Sequence, residues 1–302
     1  MAASSKKVIY AALIGNGLIA ITKFVASVFT GSSAMMSEGI HSTVDTGNQL
    51  LLLLGLKKAK KPADKEFPFG HGKEIYFWSF IVAIMIFAVG AGISIYEGIH
   101  SLMDPHPVKN PFINYIVLGL AMIFEGFAWY FAWKEFDKAR GARGYYEAVR
   151  KEKNPTLFVV LFEDSAAMLG LIVAFVGIAL SQYTGLLIFD GIASIVIGLI
   201  LGVTAAWLAY ETKGLLIGES ADPNIVTGIT NLANNYNFIS GVNEVLTMHM
   251  GPNYILLNLS VNLKDAMDVS NVEENISTLT SRIKKEYPLV KRVFIEAEEN
   301  NL

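Results

Sequence analysis

The sequence contains no cysteine. A disulfide, a thiolate zinc site and a cysteine nucleophile are excluded together. Charge is also scarce: Asp, Glu, Lys and Arg make up 17% of the 302 residues, and there are five histidines. Neither HExxH nor GxSxG occurs, so the zinc-protease helix and the serine nucleophile elbow are both missing. With no spare general base in view, the chain is read as not an enzyme. No long repeat, low-complexity tract or Gly/Pro-rich linker breaks it up.

What remains is largely apolar. Hydrophobic residues make up 53% of the chain, and mean hydropathy is +0.43. They gather in blocks of about 20 or more residues, the length that spans a hydrocarbon core. Six blocks read as helices crossing a lipid bilayer: 8–30, 33–56, 74–102, 111–134, 155–181 and 184–211. The opening MAASSKKVIYAAL has two lysines before an apolar run too long for a signal peptide, so it reads as the first span. Lys57, Lys58, Lys60, Lys61, Lys65 and Lys73 lie between the second and third blocks. Lys138, Arg140, Arg143, Arg150, Lys151 and Lys153 lie between the fourth and fifth, whereas the other three connections hold only Lys109. The positive-inside rule then puts both termini in the cytoplasm of a multi-pass protein of the cell (inner) membrane.

The periodicity changes near Gly218. Residues 223–236 read as an amphipathic helix, GVNEVLTMHMGP as a strand and YILLNLSVNL as an alternating strand after a Gly-Pro-Asn turn. Residues 270–286 read as a second helix, with Ser270 and Glu273 as a capping box, and VKRVFIEAE as a last strand. The order α-β-β-α-β suits a small two-layer α+β sandwich. Residues 1–213 carry 18 basic and 16 acidic groups, and residues 214–302 carry 6 and 11. The expected division is therefore a six-helix all-α transmembrane domain, 1–213, and an acidic cytoplasmic domain, 214–302.

The spans hold few ionisable residues, and at membrane depth such groups mark an ion or substrate pathway by default. The stretch Ser37–Gln49, SEGIHSTVDTGNQ, places Glu38, His41 and Asp45 on one helix face, with His41 and Asp45 four apart. In the fifth block Glu163 and Asp164 are adjacent. Two neighbouring carboxylates cannot both face lipid, and a cation between them and the second helix would relieve their burial and repulsion. One imidazole with two or three carboxylates suits zinc, and a majority of oxygen ligands also suits manganese. The alternative for Glu163 is an ion pair with Lys23. Glu125 and Asp190 read as groups that hold helices together or neighbour a basic residue, and Asn16 as a supporting donor or helix–helix contact. In the loop ADKEFPFGHGKE, glycines flank His71 and allow a turn toward Asp64, a looser cation site or a solvated loop.

These features together resemble the cation diffusion facilitator family along nearly the whole chain. The matching stretches are SAMMSEGIHSTVDTGNQ, FPFGHGKEIYFWSF, FDGIASIVIGLILG, the GV…MHMG strand and VFIEAE. The resemblance implies a homodimeric exporter of divalent metal, usually zinc with manganese (or iron or cobalt) as the alternative, driven by inward proton flow. A non-transporting metal sensor is the other reading. It implies a ferredoxin-like, metallochaperone-like dimerisation domain at residues 214–302. It carries the first ligand pair onto His41 and Asp45 and the second member of the other pair onto Asp164. The first member of that pair falls at Val160, which cannot ligate, so Glu163, Glu38 or water would complete the shell. Asp64 and His71 match positions that bind zinc in some relatives.

Overall fold

The computed structural model describes residues 2–264 and 268–299, with side chains described from Asn16 onward. The chain divides into two units, residues 1–56 with 77–212, and residues 57–76 with 213–302.

The first unit is helical. Its elements are α1 (Ala2–Thr30), α2 (Ser33–Ala59), α3 (Glu74–Met85), α4 (Gly92–Met103), α5 (Pro111–Arg140), α6 (Tyr145–Lys151), α7 (Pro155–Thr184) and α8 (Ile188–Ile217). A π-helical segment, Ile86–Ala91, joins α3 to α4 in one stretch of 30 residues. Hydropathy does not signal that widening, because the composition continues unchanged through it. Among the described residues, Glu74–Met103, α5, α7 and α8 are long and apolar enough to cross a membrane, and α1 contributes the shorter apolar run Asn16–Thr30. The second helix falls short of that measure because Glu38, His41, Asp45 and its terminal lysines interrupt the apolar composition.

Sequence chemistry sets the helix ends. Pro155 occupies the first turn of α7 after Asn154, whose side chain accepts from the Thr156 amide at 3.3 Å. That helix stops at Gly185, in the left-handed region at φ 72°. Asp190 near the start of α8 reaches the start of α2, accepting from Ser32 Oγ at 2.6 Å and Ser33 Oγ at 2.9 Å. It also accepts from the Ser33 amide, so a carboxylate neutralises the positive end of α2. Asp190 thus holds two helices together. Large apolar side chains of α5 such as Phe124, Phe127 and Phe131 are exposed, the lipid-facing pattern of a membrane helix.

The second unit holds α9 (Pro223–Asn234), β1 (Ile239–Gly251), β2 (Tyr254–Leu263), α10 (Val269–Glu286) and β3 (Val290–Ala297). The sheet order is β1-β2-β3, with the first pair antiparallel and the second parallel. Ile255, Leu257, Leu259 and Val261 alternate along β2 and pack with Ile229 of α9 and Ile283 of α10 in its core. The α-β-β-α-β sandwich is thus the observed α+β arrangement. The capping box at Ser270 is not formed: α10 begins one residue earlier, after Asp268, with no side-chain cap. Residues 57–76 fold against this unit. Phe69 meets Phe294 edge-on at 6.4 Å between ring centroids, Lys73 Nζ lies 3.5 Å from Met248 Sδ, and a Cβ at Gly72 would strike the Met250 carbonyl.

Candidate metal centre

The polar interior of the helical unit starts from Lys23 on α1, which is fully buried. An ammonium has three protons to donate and no acceptor. Lys23 Nζ donates to Ser42 Oγ at 2.7 Å, Glu125 Oε1 at 2.8 Å and Glu38 Oε2 at 3.0 Å. All three protons are used, and α1, α2 and α5 are tied through one side chain. A buried charge of this kind persists only when paired and hydrogen-bonded throughout. Glu38 is therefore engaged with Lys23, and its Oε1 lies against Gly170 of α7, where a Cβ would collide with it.

One turn along α2, His41 is 1% exposed and its Nδ1 lies 3.2 Å from Asp45 Oδ1. The four-residue spacing stacks the two side chains. Glu163 on α7 is buried and accepts from Asn48 Nδ2 of α2 at 2.8 Å. Its carboxyl also meets that of Asp45. Glu163 is not paired with Lys23, whose protons are taken by other groups. Asp164 is about 100° further round the helix and faces a different space. With Asp45, Glu125, Ser42 and Asn16 it lines a cavity of about 20 Å³ between α1, α2, α5 and α7. That is room for one water molecule or one small ion.

The structure thus gathers Asp45, Asp164 and Glu125 around one volume, with His41 and Glu163 against Asp45. Glu38 is drawn off to Lys23. Val160 is one turn before Asp164 on α7 and offers no donor. Among the described residues, no three His, Cys, Asp or Glu side chains are already closed on a common point. The donors therefore surround a cavity rather than form a finished coordination shell. One nitrogen and several carboxylate oxygens could hold zinc or manganese. The sequence alone reads Glu125 as a helix tie or as the neighbour of a basic residue. It does pair with a basic residue, but it also faces the cavity. The available signal was only that it is ionisable and at membrane depth.

In the second unit, His71 Nε2 lies 2.9 Å from Asp64 Oδ2. Gly70, at φ 86°, makes the turn that brings them together. Asp64 Oδ1 accepts from the Glu66 and Phe67 amides at 3.0 and 2.7 Å. The hydrogen bond with His71, followed by that from the Phe67 amide, holds the Asp64 carboxyl below the usual carboxylate range. His249 is buried in the same unit, its amide donating to the Glu219 carbonyl at 3.0 Å.

Residues 9–217 match the cation efflux transmembrane domain. The human protein named proton-coupled zinc antiporter SLC30A9, mitochondrial, is 35% identical over 247 residues, which are 81% of this chain and 44% of that protein. The chain spans less than half the length of that relative. The manganese efflux system protein MneP of Bacillus subtilis is 24% identical over 298 residues, 96% of this chain and 95% of its own. A solved nickel form of the MamM C-terminal domain, 14% identical, aligns over 26% of this chain and 100% of its own length at a TM-score of 0.25.

Proposed function

Because the chain belongs to the cation efflux family, we propose that it exports a divalent metal from the cytoplasm, with zinc as cargo and protons as the counter-ion. One observation carries this reading: an ion-sized cavity, inside a bundle of membrane helices, lined by carboxylates, one of which, Asp45, stands against His41. His41, Asp45 and Asp164 bind the ion, and Glu163 orients Asp45. The family membership and the relative named as a proton-coupled zinc antiporter support the assignment.

The mechanism is alternating access. Metal enters from the cytoplasmic side when His41 is neutral and the carboxylates are ionised, since only those forms are ligands. Protons from the opposite side then compete for the same groups and release the ion outward. The imidazole and the carboxylates each bind either a proton or the metal, so the two compete for the same site. The two basic connections, 57–73 and 138–153, support a topology with both termini cytoplasmic, in the cell (inner) membrane, and the protein works as a homodimer. Asp64 and His71 form an accessory cation site in the first basic connection. Manganese is the second reading for the cargo, favoured by the preponderance of oxygen donors and by the relative named as a manganese efflux protein.

Proteoliposomes test this directly. Zinc flux should require a pH difference across the membrane and fall to background in Asp45→Ala and Asp164→Ala. Zinc affinity should fall as the pH is lowered, because a protonated ligand no longer binds the metal. Undiminished flux in either variant would reject the site. Flux indifferent to the pH difference would reject antiport, and manganese carried in preference to zinc would reject the cargo.

A further inference from the structure

We propose that Glu125 of α5 is a direct donor to the transported cation and takes the place that Val160 leaves open. The inference rests on reading the cavity as the transport site. Glu125 divides its carboxylate between two tasks. Its Oε1 accepts from Lys23, whereas its Oε2 is buried without a hydrogen-bond partner. The same side chain lines the cavity with Asp45 and Asp164. Carboxylates from α2, α5 and α7 therefore meet at a space that fits one ion.

His41, which stands against Asp45 and not in the cavity lining, supplies an independent sign that a ligand belongs beside Asp45. Its ring is buried, neither nitrogen makes a hydrogen bond, and the Asp45 oxygen beside it is also without one. Buried polar atoms left this way are costly, and a cation bound between them removes the cost. Drawn together on a bound ion, one nitrogen from His41 and one oxygen each from Asp45, Asp164 and Glu125 would supply the four donors that a tetrahedral zinc ion takes. The site is built on three helices rather than two. Lys23 is its positioning residue: by holding one oxygen of Glu125 it fixes the side chain and leaves the other oxygen facing the cavity. Glu163, bonded to Asn48, orients Asp45 from behind.

Zinc titration calorimetry on the detergent-purified full chain decides the matter. Glu125→Gln keeps an oxygen that accepts from Lys23 but replaces the anionic donor with an amide. It should weaken zinc binding by roughly tenfold or more. Adding Val160→Asp to Glu125→Gln puts a carboxylate one turn before Asp164, on the same helix face, and should recover most of the lost affinity. A residue that only braced Lys23 would not be replaced by a donor on α7. Unchanged affinity in Glu125→Gln, or a loss that Val160→Asp does not recover, would overturn the proposal. Asp45→Ala in the same assay, with His71→Ala as the common background to silence the accessory site, separates the two readings. If zinc binding survives that change, the cavity is not the transport site. If Asp45→Ala abolishes binding and Glu125→Gln leaves it intact, only the role of Glu125 falls.

Discussion

Lys23 shows how single residues govern the helical unit. Its ammonium is matched to three acceptors on two other helices and has no contact with solvent. Removing one partner of a buried ion pair leaves the others desolvated and uncompensated, at a cost of about 3–5 kcal/mol. Lys23→Met should therefore lower the unfolding temperature of the detergent-solubilised protein well beyond the effect of a surface lysine change. Lys23→Met combined with Glu38→Met and Glu125→Gln should recover much of that stability, because the stranded charges go with it. Calorimetric or fluorescence-monitored melting reads both outcomes.

At the scale of elements, helix contacts depend on small residues as much as on charge. A Cβ placed on Gly198 of α8 would approach the Ala91 carbonyl and the Ile95 amide to 3.0 Å, and Gly98 and Gly191 are crowded in the same way where α4 meets α8. In lipid, helices associate by such close approach rather than by apolar burial. Gly198→Leu should force α4 and α8 apart and destabilise the bundle by about 1–3 kcal/mol, visible as a lowered melting temperature. The π-helical segment Ile86–Ala91 leads directly into this contact and sets the rotation at which α4 presents Gly98 to α8. A leucine on the exposed face of α5, as in Phe127→Leu, should change stability little by comparison.

For the whole molecule, the helical unit carries the cavity and the α+β unit carries its own core, with residues 57–76 folded against the latter. The basic connection with Asp64 and His71 thus belongs structurally with the terminal domain, not with the helices it links. Light scattering of the purified full chain should give twice the 33.0 kDa chain mass, as the proposed homodimer requires. A monomer mass at micromolar concentration would contradict it.

Much was legible in the sequence itself. The lengths of the apolar blocks, the 3.6-residue and two-residue periodicities and the placement of Gly and Pro act over a few neighbouring residues. They determined the long helices, four of them apolar enough to cross a membrane among the described residues, the α-β-β-α-β order and the pairing of His41 with Asp45 on one helix face. They did not determine partners between helices. Whether Glu163 turned to Lys23 or to α2, and whether Glu125 merely braced the bundle or faced the cavity, depended on how α1, α2, α5 and α7 rotate against one another. Local propensity does not encode that rotation. It follows from packing the whole bundle so that a buried ammonium such as that of Lys23 finds its acceptors. Only the tertiary structure assigned Lys23 to Glu38 and Glu125, Asn48 to Glu163, and an ion-sized space to Asp45, Asp164 and Glu125.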